Sequence, residues 1–418
     1  MEGWDRFAKY ASLVHAFSDK GACYGVWGLM EAVAGDGALF KNTEKLEWGF
    51  GCTSSIKQLN MFVSPALTEL RVRLSPDISG GALRWLLEER RVRLDVLHAG
   101  WEGRDAEEGV EVALLLQACL GLRHLAVRSC SWKTLEIMSM MSNLVYLFLG
   151  VDEGDQDWIR IGKIEFRSLK EFGVYWEQSS ALQCARRLLE AITGPCLKKI
   201  SLHNGVFEEN DDFRYLLEGV ASRVGSIEEI QLTDADVLNE NIGCGGESTV
   251  DVGMLGGALR MANLKQFRIL GVATRLSKEL LEQMARAWPL LEVIEINGGT
   301  LLGPETLFEP FAEHSLNLRE IRIPWSICRK KQDAGTKIVR RNHRTVGIYV
   351  YRETISPWAD ALTTGEMVAN CLCRYFVDPW IKPAECFQAA GDDLEKMMKI
   401  LETTKAVHND RDAADSTR

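Results

Sequence analysis

The sequence predicts an α/β solenoid in which short parallel strands alternate with helices. Three observations support this fold class. A six-residue pattern returns along the chain, with apolar residues at its first, fourth and sixth positions, as in LRHLAV, LVYLFL, LEVIEI and LREIRI. The copies recur at the length of one helix plus one strand. Between the copies, the apolar residues switch to a helical period.

The spacing of the copies is typical of a leucine-rich repeat. Most steps between them fall within or near the roughly 20–29 residues of that repeat. The alternating positions of each copy suit a strand with one apolar face. We therefore expect a ribonuclease-inhibitor-like horseshoe, with parallel strands on its concave face and helices on its convex face. The copies begin at Thr43, Leu67, Leu94, Leu122, Leu144, Leu169, Leu197, Ile227, Leu264, Leu291, Leu318 and Thr345.

Apolar stripes of helical period separate the strands. Because no single repeat can bury its own apolar face, the stack must supply the core. Gly194-Pro195 and Trp288-Pro289 are expected to end two of the helices. Three clear stripes are Ala181, Ala185, Leu188, Leu189 and Ile192; Phe213, Leu216, Leu217, Val220 and Val224; and Leu276, Leu280, Leu281, Met284 and Ala287.

The ends of the chain predict additional segments. Residues 1–379 are expected to form the array, with an amphipathic helix over residues 3–18 and a C-terminal capping helix whose apolar stripe runs from Met367 to Phe376. We expect residues 380–406 to form a helical extension and residues 407–418 to form a disordered tail. The Gly-rich insertion around residues 239–249 is either a functional loop or, as we favour, an ordinary solvated one.

Composition excludes several function classes. The net charge of −10 argues against general nucleic-acid binding. No apolar run approaches the 18 residues of a membrane span. The 11 scattered cysteines, the lack of glycosylation sequons and an N-terminus unlike a signal peptide favour an intracellular protein of the cytoplasm or nucleus.

The sequence offers no convincing catalytic or metal motif. Cys371 and Cys373 are too close along a helix to face the same ion, and Cys386 is the only nearby third ligand. His203 and Asn204 follow a strand, where a loop asparagine is the favoured interpretation. We therefore predict a protein that is not an enzyme, with no cofactor and no metal.

Several longer phrases together suggest a family. They are WDRFAKYASLVHAF, SIKQLNMFVSPALTELRV, LLLQACLGLRHLAV, LEVIEINGGTLLGPETLFEPFAEHSLNLREIRIPW and ISPWADALTTGEMVANCLCRYFVDPW. In order and phasing, from about Gly3 to Pro379, the chain resembles the leucine-rich-repeat region of fungal, basidiomycete-type F-box proteins. The resemblance implies the substrate-binding region of a ubiquitin-ligase receptor and binding to a Skp-family adaptor. The adaptor-binding F-box segment itself finds no match before Trp4 or later, so the residues do not support that partner.

The concave face provides the predicted partner site. Its basic residues lead into aromatic ones, and arginine and tyrosine are enriched at binding hot spots. We expect a non-catalytic array that recognises a protein partner with an acidic segment. The alternatives are an ordinary solvated sheet face and a scaffold or inhibitor with no ligase link. The site residues are Arg71, Arg73, His124, Arg128, Tyr146, Phe148, Tyr175 and His203.

Overall fold

The structure, a computed structural model, forms two compact units, residues 1–197 (unit 1) and residues 198–418 (unit 2). Within them it describes residues 2–18, 39–48, 56–75, 78–101, 108–128, 131–151, 162–176, 181–204, 210–221, 226–234, 252–270, 276–296, 303–323, 342–350 and 376–383, and the single positions 372, 399 and 402.

Unit 1 alternates strands and helices, as the repeat predicts. Strands β1 to β6 and β8 lie side by side in chain order, every neighbouring pair parallel. Strands β7 and β9 form a separate short pair. The elements are α1 (Glu2–Ala11), β1 (Ala16–Ser18), β2 (Lys45–Trp48), α2 (Ile56–Asn60), β3 (Glu69–Leu74), α3 (Gly80–Glu89), β4 (Val96–Trp101), α4 (Glu108–Gln117), β5 (His124–Val127), α5 (Trp132–Ser139), β6 (Tyr146–Val151), β7 (Ile164–Glu165), β8 (Glu171–Trp176), α6 (Leu182–Ala191) and β9 (Ile192–Thr193).

Unit 2 repeats the same scheme. Its strands β10 to β16 pair in chain order and are again parallel throughout. The elements are β10 (Lys199–Asn204), α7 (Asn210–Ala221), β11 (Glu229–Asp234), α8 (Val252–Leu255), a 3-10 turn (Ala258–Arg260), β12 (Gln266–Leu270), α9 (Lys278–Ala287), β13 (Val293–Ile296), α10 (Pro304–His314), β14 (Glu320–Arg322), β15 (Asn342–Val350) and β16 (Phe376–Pro383).

The strand register explains why the apolar pattern produces this fold. The fourth position of each copy pairs with the fourth position of the next, so that Leu70, Leu97, Leu125, Leu147 and Phe172 form one continuous row. Each of these side chains is at most 1% exposed. Full burial of such a side chain contributes roughly 1.5–3 kcal/mol. The predicted fold class, a leucine-rich-repeat solenoid of parallel strands and helices, is confirmed.

Helix α3 shows how one repeat is assembled. The Ser79 side chain accepts a hydrogen bond from the Ala82 amide at 3.1 Å and begins the helix. Leu83, Leu86 and Leu87 are buried against the strands. Arg91 adopts a left-handed conformation with φ of 54°, which ends the helix by turning the chain toward β4.

The N-terminal segment differs from the prediction. The helix ends at Ala11 rather than at residue 18, and residues 16–18 form β1, which pairs with Lys45–Glu47 of β2. The sequence pattern did not reveal this strand. Phe17 aligns with Leu46 and so takes the fourth position of a copy, but the sixth position, two residues later, holds Asp19 instead of an apolar residue. Aromatic rings fill this end of the core: Phe40 stacks on Phe62, with ring centroids 4.4 Å apart.

The C-terminal segment also differs. Leu372 is helical and buried, but residues 376–383 form strand β16 beside β15, so the predicted capping helix is wrong over residues 376–379. Pro379 has no backbone N–H to donate, as a residue in a helix interior must. A proline is tolerated in β16 because this strand is the last in the order of the sheet. Residues 380–383 of the predicted helical extension belong to this strand too, whereas Lys399 and Glu402 are helical. The domain limits themselves stay a prediction. The Gly-rich insertion and the predicted tail lie outside the described residues.

Candidate functional site

The open face of unit 1, opposite the buried row, carries two adjacent rows of side chains from β3, β4, β5, β6 and β8. The first row takes the fifth position of each copy and the second the seventh position, just after the sixth apolar residue. Apart from the buried Gly150 and Gly173, these positions are at least partly exposed. The rows are Arg71, His98, Ala126, Phe148 and Gly173, and Arg73, Gly100, Arg128, Gly150 and Tyr175.

A pocket of about 190 Å³ opens in the middle of these rows. Its lining includes His98, Ala126, Arg128, Phe148 and Tyr175. Five strands, β3, β4, β5, β6 and β8, contribute to it, since Val72 of β3 is also part of the lining. Its lining is predominantly apolar, with Arg128 as its cationic member.

Glycines on β4, β6 and β8 determine the shape of the pocket. A Cβ at Gly100 would meet no atom within 4 Å, so this position opens directly into the pocket. A Cβ at Gly150 would collide with the carbonyl of Arg128, and one at Gly173 with the ring of Phe148. Strands β5 and β6 therefore approach closely, and Phe148 lies across β8, because these two positions carry no side chain.

A cluster of one carboxylate and two cations lies on the strands beside the pocket. Lys45 Nζ lies 3.0 Å from Glu69 Oε2, and Arg71 lies 3.1 Å from Glu69 Oε1. Burial acts to raise the pKa of Glu69, but the hydrogen bonds and charges of Lys45 and Arg71 outweigh it and lower that pKa. Two cations therefore share one ionised carboxylate.

Two further groups on this face are held in their neutral forms. Burial, assisted by the positive charge of Arg71, lowers the pKa of His98. Burial and the nearby Glu171 carboxylate raise the pKa of Tyr146. The His124 and Tyr146 rings meet edge to face, with centroids 6.0 Å apart. His98 is thus a neutral wall of the pocket at pH 7.

The structure places the predicted site residues in three groups. Arg128, Phe148 and Tyr175 line the same pocket. Four others lie on the same sheet of unit 1, around that pocket, at Arg71, Arg73, His124 and Tyr146. His203, by contrast, lies on β10 of unit 2, where it pairs in register with Thr233.

Sequence reasoning missed two pocket residues, His98 and Gly100. His98 lies within the copy that begins at Leu94, and Gly100 follows it. That copy matches imperfectly because it has Ala99 at its sixth position, where a larger apolar residue is usual. Ala99 is nevertheless 4% exposed and occupies the expected buried position. A run of small residues at the fifth and seventh positions, next to aromatic ones, is the signal that could have located the pocket.

The corresponding face of unit 2 pairs its charges internally. Glu295, 8% exposed, lies 3.3 Å from Arg322 and 3.8 Å from Arg268. Lys199 and Glu229 are 3.1 Å apart. Burial, with the charge of Lys199, lowers the pKa of His203 to about 4, so this histidine is neutral at pH 7.

The described residues contain neither a metal-binding group nor a membrane-spanning helix. Among them, no group of three or more histidine, cysteine, aspartate or glutamate side chains is arranged to hold an ion. None of the helices in this part of the chain has the length and apolar character to cross a bilayer. Cys119 is buried, and burial raises the pKa of its thiol to about 12, which leaves it unreactive.

Comparisons with known proteins provide little beyond this geometry. No family model matches the chain. No curated protein matches it either. Among solved structures, an internalin from Listeria monocytogenes is similar, with 12% identity and a TM-score of 0.34 over 93% of this chain and 87% of the internalin. A similarity of that strength carries no argument, so the fold rests on the strand pairing described above.

Proposed function

We propose that this protein is a non-catalytic recognition module that binds a protein partner on the open face of unit 1. The observation that supports this most is the composition of the two rows across β3 to β8. Their ten positions hold three arginines and one histidine, two aromatic residues and no acidic residue. Arginine and aromatic side chains around a pocket are typical of interface hot spots.

The contrast with unit 2 favours unit 1 as the binding surface. In unit 2 the arginines of the equivalent row are matched by Glu295, at 3.3 and 3.8 Å. In unit 1, Lys45 and Arg71 share the carboxylate of Glu69, and the two rows add Arg73 and Arg128 but no acidic residue, so the described residues of this face favour an acidic segment. His203 stays a weaker proposal because it belongs to the internally paired unit.

Charge reversal on the open face tests the proposal. A random peptide display library would be selected against the full chain, and enriched peptides measured against the double variant Arg71→Glu and Arg128→Glu. We expect acidic peptides that lose at least about tenfold in affinity, because attraction becomes repulsion. Their binding to the wild-type chain should also weaken as salt is added.

A matched control changes the same charges elsewhere in unit 1. Lys133→Glu and Arg187→Glu reverse two exposed cations on helices α5 and α6, away from the strand rows. This double variant should bind the selected peptides as the wild-type chain does. Peptides that bind both double variants equally well would exclude the open face of unit 1 as the binding surface.

The biological role is a separate part of the proposal. The family resemblance favours the substrate-binding region of an F-box ubiquitin-ligase receptor, within the cell. The alternative is a scaffold or inhibitor with no ligase link, and the same binding face serves both. Mixing the chain with a purified Skp-family adaptor and testing co-elution examines the receptor role: a stable complex would favour the receptor over the scaffold or inhibitor.

A further inference from the structure

We draw no further inference here: the strongest candidate, the largely apolar pocket of about 190 Å³ on the open face of unit 1, carries nothing beyond the proposed binding face, because nothing in the described part of the chain shows what fills it.

Discussion

The ring of Phe148 lies over Gly173 of the neighbouring strand, at the place where any other residue would carry its Cβ. This relationship determines the shape of the unit 1 pocket. Phe148 can form a wall because β8 has no side chain at that level. The two residues are paired directly in the parallel register, so a change at one is transmitted to the other without an intermediate.

A methyl group at Gly173 should therefore reshape the pocket. Gly173→Ala should lower the free energy of unfolding by about 1–3 kcal/mol, because Phe148 must move from its rotamer. Gly100→Ala adds the same methyl group in open space and should raise it by about 0.4–1 kcal/mol by restricting the unfolded chain. Denaturant unfolding of both variants measures the difference. Equal effects at the two positions would show that Phe148 does not occupy the space above residue 173.

Damage to the core should spread from one repeat mainly to its neighbours. Leu147 is fully buried in the continuous row of unit 1. Leu147→Ala should cost about 2–5 kcal/mol through lost burial and the cavity left behind. Hydrogen exchange should show faster opening in β5, β6 and β8, with smaller changes at β2. Leu120→Ala, at a position that is 49% exposed, is the control. Uniform loosening of unit 1 would contradict nearest-neighbour coupling of the repeats.

Two glutamates of unit 2 should contribute differently to the free energy of unfolding, because one is more buried than the other. Glu295 is 8% exposed and lies between Arg268 and Arg322. Glu295→Gln should cost about 1–3 kcal/mol because two partly buried cations lose their counter-charge. Glu228 is more exposed and accepts hydrogen bonds from Lys198 and Lys265 at 2.7 and 2.8 Å.

The comparison variant, Glu228→Gln, should cost less than about 1 kcal/mol, as exposed ion pairs usually do. Its effect should also shrink as salt is added, since solvent-exposed charges are screened. Chemical unfolding at low and high salt would separate the two variants. A larger loss for Glu228→Gln than for Glu295→Gln would contradict the ranking by burial.

The half-buried His203 predicts a specific pH dependence of stability. Burial and Lys199 lower its pKa from 6.5 to about 4, so the unfolded chain binds a proton at higher pH than the folded chain does. This contribution to stability is therefore intact above about pH 6.5 and is lost as the pH falls toward 4, by about 3 kcal/mol. His203→Gln should flatten the unfolding free energy over this range.

A second variant checks the cause of that shift. Lys199→Gln removes the charge that assists burial, so the pKa of His203 should rise part of the way toward its ordinary value. The loss of stability between pH 6.5 and 4 should then become smaller but not vanish, because burial, the larger cause, persists. The pKa of His203 can be followed directly by NMR. An unchanged pH profile in His203→Gln would exclude this histidine as the titrating group.

The sequence predicted the repeated parts well and the irregular parts poorly. The strands that follow Leu67, Leu122 and Leu144 were located by their pattern, because each must bury the same three positions. Strand β1 was missed because Asp19 breaks the pattern. Strand β16 was predicted as helix over residues 376–379, because an apolar stripe does not show that the backbone will pair with β15.

The sequence alone determined which residues are buried and which face outward in the repeated strands, since alternation along a strand leaves no other arrangement for the apolar positions. It also identified Arg128, Phe148 and Tyr175 as residues of one face. Only the tertiary structure decided that these three meet in a pocket with His98 and Gly100, because the register between parallel strands brings together residues about 25 positions apart. The same register placed Phe148 over Gly173, where the ring fits because glycine has no side chain.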